Sequence, residues 1–233
     1  MLPIAILAGG FATRLGGLTL NYPKCMLAVN GRPFIDWQLD ILSEAGYLDF
    51  VLCVSFKSEL VKDYLGDGKN RGVQIHYSYD GEIQQGTGGA IRKALPLLGD
   101  EFGVIYGDSY LTLDYAEAEK SFLDSKLSAM MTVYANENNF DLSNVEFSDG
   151  IIHEYNKFTP SKNMRHIDYG LTYFRKETFL GSKLDEPFDL SITCQKLATE
   201  RKLGGFEVFN RFYEIGSLQG INQFSDFLRK AYP

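Results

Sequence analysis

Apolar positions along the chain follow two spacings. Residues 2–8 are apolar throughout, as in a strand covered on both faces, and the run turns on Gly9-Gly10. Phe34, Trp37, Leu39, Ile41 and Leu42 recur near helical spacing after Pro33, and Gly46 stands where a helix C-cap glycine belongs. Phe50–Ser55 reads as a second strand, Lys57–Leu65 as a helix ended by Gly66-Asp67-Gly68, and Val73–Tyr79 alternates as a third strand. A helix from about Gly88 to Leu98 leads to a fourth strand, Phe102–Tyr106, and then to Gly107-Asp108. Strands alternating with helices predict a parallel sheet that gathers its ligands at the carboxyl ends of the strands.

The second half reads differently. Ser128–Tyr134 is strand-like, and Asn144–Tyr155 predicts two strands joined at Ser148-Asp149-Gly150. Ile167–Phe174 is a further strand, and helices are expected at Pro187–Glu200 and Ser217–Lys230 with Phe206–Phe209 between them. No repeat, linker or low-complexity segment divides the chain. Residues 1–233 are therefore expected to form one α/β domain.

Composition narrows the partners. At 233 residues, with 45% hydrophobic and 23% charged residues, the chain is long enough for one sizeable core. Its net charge of −7 argues against a nucleic acid partner but not against a small anion, which needs only a few local cations. Cys25, Cys53 and Cys194 form no CxxC pair, which disfavours a metal cluster or disulfide framework and fits reduced thiols in the cytoplasm. His76, His153 and His166 have no metal-ligand spacing. The N-terminal apolar run is too short for a signal peptide, and no run approaches the length of a membrane span.

Three features carry chemistry. Gly9-Gly10 followed by Thr13, Arg14 and Lys24 is a glycine turn with nearby cations, suited to a polyphosphate because backbone N–H groups can approach its oxygens. Gln84-Gln85-Gly86-Thr87-Gly88-Gly89 is a second glycine-rich turn that opens a helix. Asp108 follows an apolar strand, with Glu214 far downstream in Tyr213-Glu214-Ile215-Gly216.

At these residues the chain resembles the sugar-1-phosphate nucleotidyltransferases, whose opening motif is Gly-Gly-x-Gly-Thr-Arg-Leu followed by Pro-Lys-Pro-Met-Leu. Here the motif stands as Gly9-Gly10-Phe11-Ala12-Thr13-Arg14-Leu15 and Pro23-Lys24-Cys25-Met26-Leu27. The resemblance continues through Gly86-Thr87-Gly88-Gly89, Tyr106-Gly107-Asp108, Tyr155-Asn156-Lys157, Asp168-Tyr169-Gly170-Leu171 and Glu214-Ile215-Gly216-Ser217, essentially the whole chain. It implies a doubly wound, mostly parallel, Rossmann-like sheet flanked by helices. About residues 1–110 would form a nucleotide-binding half, and about 111–233 a sugar-phosphate-binding half with extra strands.

The implied reaction joins an NTP and a sugar 1-phosphate into an NDP-sugar and pyrophosphate with Mg²⁺. Arg14 and Lys24 would be catalytic, Arg14 at the leaving pyrophosphate and Lys24 at the α-phosphate. Leu7, Ala8, Gly9, Gly10, Thr13, Gln84, Gly86, Thr87 and Gly88 would hold the nucleotide. Tyr106, Gly107, Asn156, Lys157, Asp168, Tyr169 and Gly170 would hold the sugar phosphate, and Asp108 and Glu214 the metal. The motifs Asp168-Tyr-Gly-Leu and Tyr-Glu-Ile-Gly look most similar to members acting on heptose 1-phosphates with GTP. Hexose, amino-sugar and muramic acid phosphates, and UTP, CTP or dTTP, stay open.

Several positions depart from the motif. Ala12 replaces a glycine, where a left-handed backbone would cost about 1 kcal/mol. Gly17 and Cys25 replace prolines, and Glu214 replaces an aspartate with a side chain one methylene longer. A glycosyltransferase is the rival enzyme class, but it usually carries Asp-x-Asp where Gly107-Asp108-Ser109-Tyr110 offers one acid. A non-catalytic nucleotide-sugar sensor would not need Arg14, Lys24 and Asp108 together. The apolar and aromatic second half permits a homodimer.

Overall fold

The apolar N-terminal run becomes β1 (Ile4–Leu7) in this computed structural model, which describes residues 1–10, 22–55, 57–139, 141–180 and 187–232. A short hairpin, β2 (Ala28–Val29) and β3 (Arg32–Pro33), turns on Asn30-Gly31 and leads into α1 (Phe34–Glu44). Gly46 caps that helix as its position suggested. It adopts φ +95°, with Gly46 N–H donating to Ser43 O (2.9 Å) and Tyr47 N–H to Leu42 O (3.0 Å), the paired bonds of a Schellman ending. Then follow β4 (Asp49–Val54), α2 (Ser58–Leu65), β5 (Gln74–Tyr79), α3 (Gly86–Ala94) and β6 (Glu101–Tyr106).

The remaining elements are β7 (Ser109–Tyr110), α4 (Tyr115–Asp124), β8 (Ala129–Ala135), β9 (Val145–Ser148), β10 (Ile151–Tyr155) and β11 (His166–Arg175). They end with α5 (Leu190–Thr199), β12 (Leu203–Val208), β13 (Tyr213–Glu214) and α6 (Leu218–Ala231). The pattern reading did not mark α4, although its local signals are present. Asp114 caps it by accepting from Glu117 N–H (2.9 Å), and Tyr115, Ala118, Glu119 and Phe122 form its buried stripe.

Among the described residues, nine strands make the main sheet in the order β5-β4-β1-β6-β11-β8-β12-β10-β9. The expectation of a mostly parallel sheet is corrected here. The pairings β5–β4, β4–β1, β1–β6 and β8–β12 are parallel, whereas β6–β11, β11–β8, β12–β10 and β10–β9 are antiparallel. The cause is the way the second half enters the sheet. The β9–β10 hairpin turns on Asp149 (φ +52°) and Gly150 (φ +75°), which forces its strands antiparallel, and β11 inserts between β6 and β8 in the opposite direction to both.

Side-chain alternation divides the core between two faces. Ile4 and Ile6 join Phe50, Leu52 and Val54 on one face, packed against Ile35, Leu39 and Leu42 of α1, Val61 and Leu65 of α2, and Phe122 of α4. Ala5, Val51, Cys53, Phe102 and Val104 face the other way, against Ala90, Ile91 and Ala94 of α3 and Leu190, Cys194 and Leu197 of α5. A smaller cluster joins Phe224 and Leu228 of α6 to Val29, Phe34, Tyr110 and Ile215, and so holds the β7–β13 pair. No helix among the described residues is long and apolar enough to cross a membrane.

Strand order creates the crevice for the site. The chain runs from β1 outward to β4 and β5, then returns to place β6 on the other side of β1, and the carboxyl ends of β1 and β6 define a switch point. Leu7 pairs with both Cys53 and Tyr106, so the last residues of β1 and β6 lie in one row with Cys53, the last residue but one of β4. Gly107 N–H donates to Leu7 O (3.1 Å), and a Cβ at Gly107 would lie 2.6 Å from that oxygen; only glycine allows this approach.

From the helix layer, fully buried Gln38 of α1 secures the turn that carries Asp108. Its Nε2 donates to Tyr106 O (2.8 Å) and Ser109 O (2.7 Å), one on each side of Gly107-Asp108. Replacing Gln38 with leucine removes both bonds and leaves buried carbonyls less satisfied, at an expected cost of about 1–3 kcal/mol. Urea denaturation of Gln38→Leu measures this loss, and a change within about 0.5 kcal/mol, the range of inconsequential surface substitutions, would refute the bracing role.

Candidate active site

Two cavities open at the strand ends. The first, of about 310 Å³, is lined by Leu7, Ala8, Gly9, Gly10, Lys24, Gln84, Gly86, Thr87, Gly107 and Asp108, so it unites the first glycine turn, the second and the strand-end acid. The second, of about 610 Å³, is lined by Asp108, Asp168, Tyr169, Gly170, Glu214 and residues of the neighbouring loops. Tyr106, Asp108 and Lys157 border both. Arg14 and Thr13 lie outside the described residues, as do Ala12 and Gly17.

Lys24 opens a short 3-10 turn, Lys24–Met26, directly after Pro23. Its ammonium forms an ion pair with Asp108 Oδ2, and both side chains are partly buried. Ser109 Oγ donates weakly to the other Asp108 oxygen (3.4 Å). Glu214 reaches the same corner because β13 pairs with β7, with Glu214 opposite Ser109, and Ile215 N–H donates to Asp108 O (3.0 Å). A Cβ at Gly216 would lie 3.4 Å from Lys24 Nζ and 3.7 Å from Glu214 Oε1. One ammonium and two carboxylates therefore converge beside a residue whose lack of a side chain keeps the space open. Cys25 and Cys53 also line the first cavity, but burial pushes both thiols up to about 12 and makes them poor nucleophiles.

Lys157 extends from the turn after β10 and lies 3.5 Å from Asp189 Oδ2. Burial raises the pKa of the Asp189 carboxylate, but bonds from Ser191 and the nearby Lys157 charge outweigh it and hold the net value below the usual range. Asp168, on β11, is pushed up to about 6 by burial, against the opposing effects of Gly170 N–H (3.0 Å), the Lys157 charge and Tyr155 O–H (3.3 Å). Tyr169 forms wall rather than contact point, because its hydroxyl accepts from Thr112 N–H (3.1 Å).

Two expected contacts fall elsewhere. Gly88 lines neither cavity: its N–H donates to Phe188 O (2.9 Å), and a Cβ there would lie 2.2 Å from the Phe188 ring. This glycine lets α3 sit against Phe188. Asn156 turns inward on its own loop, its Oδ1 accepting from Phe158 N–H (3.1 Å) and Thr159 N–H (2.9 Å). It shapes the turn that presents Lys157.

Other lining residues were not legible as site residues in the sequence. Asp80 lines the first cavity, and Asn139, Asp141, Asn144, Arg211 and Gln223 line the second. Asp80 carried a usable signal, an acid at the end of a strand just before Gly81. The others lie in loops, or on α6 for Gln223, that meet only through tertiary pairing. The three histidines stay outside both cavities, and the described residues contain no group of three or more metal-ligating side chains.

Comparison with known proteins finds relatives in sequence and in fold. D-glycero-alpha-D-manno-heptose 1-phosphate guanylyltransferase of Campylobacter jejuni is 28% identical over 211 residues, 91% of this chain and 93% of that protein. N-acetylmuramate alpha-1-phosphate uridylyltransferase of Neisseria meningitidis is 37% identical over 134 residues, 56% of this chain and 58% of that one. HddC from Yersinia pseudotuberculosis, crystallised with GMP-PN, shares the fold at a TM-score of 0.84 and 23% identity, over 98% of this chain and all of that one. The inositol-1-phosphate CTP transferase from T. maritima shares it at 0.83 and 21% identity, over 99% and 96% of the two chains. Residues 4–183 match the nucleotidyl transferase family itself, and the chain belongs to that family.

Proposed function

We propose that this nucleotidyl transferase joins an NTP to a sugar 1-phosphate, releasing pyrophosphate, with GTP and a heptose 1-phosphate as the preferred pair. The observation that carries the reading is the seam between the cavities, where Tyr106, Asp108 and Lys157 face both and the Lys24 ammonium stands against Asp108. Two substrates held on either side would meet there. The heptose and GTP preference draws support from the Campylobacter guanylyltransferase, which aligns along nearly the full length of both chains.

In the reaction an oxygen of the sugar phosphate attacks the α-phosphorus of the NTP as the bond to the β-phosphate oxygen breaks, so pyrophosphate departs and no covalent enzyme intermediate forms. Both reactants are anions, and alignment and charge neutralisation are the main tasks. Lys24 serves the α-phosphate, where negative charge crowds in the transition state. Lys157 meets the sugar phosphate from the other side. Arg14 takes the leaving pyrophosphate and Thr13 contributes a backbone contact to the nucleotide, as the resemblance implies, while the backbone at Gly9 and Gly10 lies along the first cavity. Asp168, Asn144 and Asp141 give the second cavity the acceptors that a polyol needs.

Magnesium fits the corner formed by Asp108 and Glu214. Two carboxylates are the hard oxygen donors this ion takes from protein, with phosphates and water completing its shell. Bound there, it would draw charge from the phosphate oxygens. The ammonium of Lys24 already lies against Asp108, which marks the place as one that favours positive charge.

Purified protein with Mg²⁺ should release pyrophosphate from one NTP only when a sugar 1-phosphate is present. A coupled pyrophosphate assay across NTPs and sugar phosphates measures this, and silence across the whole grid would sink the reading. Lys24→Ala and Asp108→Ala should each lose about 10²-fold or more in turnover. Their melting temperatures should stay near wild type, since a partly exposed pair contributes about 0–1 kcal/mol; near-normal turnover would remove both from the mechanism.

A pH series tests Asp168. Its carboxylate protonates as pH falls through about 6 and loses its charge as an acceptor. kcat/KM for the sugar phosphate should therefore fall more steeply in wild type than in Asp168→Asn between pH 7.5 and 5.5. The titration of the substrate's own phosphate is common to both enzymes and cancels in the ratio. Parallel profiles would show that Asp168 does not contact the sugar.

A further inference from the structure

One acid in the first cavity has no role in the chemistry above. Asp80 follows β5 directly and is only 8% exposed, yet it lines the cavity beside Cys53, Gln84 and Thr87. Among the described residues its carboxylate accepts one hydrogen bond, from Gln85 N–H to Oδ2 at 3.2 Å. Lys93 lies nearby, but its ammonium donates to the Asp80 backbone carbonyl (2.7 Å) rather than to the carboxylate. Burial raises the pKa of this carboxylate, opposed by the Gln85 bond and the Lys93 charge. The carboxylate lines the cavity with acceptor capacity beyond that one bond, which water or the N–H groups of a ligand can take.

Its place in the sheet suggests which ligand group it meets. β5 is separated from β1 by β4, so Asp80 stands two strand spacings, about 10 Å, across the strand ends from β1. A nucleotide with its phosphates at Lys24 and Asp108 would carry its base toward that outer end. Gln84, expected from the sequence to help hold the nucleotide, is exposed, and its amide is turned back toward Gly9 O (3.3 Å) and Ser55 Oγ (3.5 Å).

We propose that Asp80 selects guanine, its carboxylate accepting from the ring N1–H and the 2-amino group. Among the common bases, guanine alone presents two adjacent donors on its Watson–Crick edge. Uracil and thymine offer one N–H between two carbonyl oxygens, and adenine and cytosine set a single amino group beside an acceptor nitrogen. An ionised carboxylate only accepts, so it pairs twice with guanine and meets a repelling lone pair on each of the others. A site built to accept a given N–H discriminates strongly against a ligand that lacks it. The inference rests on the first cavity being the nucleotide side.

Calorimetric titration of the full chain with Mg²⁺ tests the selection by binding. Wild type should bind GTP about tenfold or more tightly than ITP, which lacks the 2-amino group, and more tightly than UTP. Asp80→Asn, which keeps the shape, should exchange this preference and bind XTP more tightly than GTP, since its amide can donate to the xanthine 2-oxygen. That gain is not expected from a merely damaged fold. Equal binding of GTP and ITP by wild type, tighter binding of UTP, or an unchanged preference in Asp80→Asn would overturn the proposal. Pyrophosphate release with a non-guanine NTP would overturn it too and leave nucleotidyl transfer standing. Failure of transfer with every pair would remove the reading of the reaction, while the GTP and ITP contrast still decides the role of Asp80.

Discussion

The contact between Gly107 and the end of β1 governs the geometry of the site. Gly107 N–H bonds to Leu7 O, with no room for even a Cβ between the two backbones. That contact sets the width of the crevice at the switch point and fixes the direction in which Asp108 leaves β6. Gln38 holds the same turn from the helix layer through the carbonyls on either side. Once Asp108 is set, Lys24 is drawn to it and the β7–β13 pair brings Glu214 alongside. A wider turn at residue 107 would relax all three positions together.

Charge is arranged locally against an unfavourable total. The chain carries −7 overall, so a polyanion approaching its surface meets no general attraction. The cations that matter are instead held individually at the cavity walls, Lys24 against Asp108 and Lys157 near Asp189. Each acid keeps its lysine oriented without burying it completely, and each ammonium can turn from carboxylate to phosphate at small cost because the pair is partly hydrated. Such pairing favours small, strongly charged ligands that reach the wall over long nucleic acid strands that bind by broad basic faces.

The sequence was most readable where local rules decide structure. The parallel half followed from apolar runs, glycine stops and helical spacing, and the ends of those runs located Gly9, Gly10, Thr87 and Asp108 at one cavity. The mixed half was less readable because its pairing is tertiary. No local pattern tells β11 to enter between β6 and β8, and the direction of that insertion makes the sheet only half parallel. Gly88 and Asn156 show a second limit. A motif marks a residue as needed but not its purpose: Gly88 is needed for its packing on Phe188 and Asn156 for the bonds inside its own turn. Asp80 shows the opposite case, an acid whose place between a strand and Gly81 is a signal in the sequence but whose neighbours at the cavity, Gln84 and Thr87, appear only when the strand ends are assembled.

The two cavities also divide the demands of recognition and chemistry. A residue away from the seam, such as Asp80 in the first cavity, can change the ligand accepted without altering the charges at Lys24 and Asp108. Residues on the seam have no such freedom, since Asp108 and Lys157 face both cavities at once. A shift that improved contact with one substrate would misalign the other. The constrained element of such a site is therefore its seam geometry, and specificity is free to vary at the outer walls. The positions where this chain departs from the opening motif fit that division, since the departures at Cys25 and Glu214 alter volume and reach but leave every charge on the seam in place.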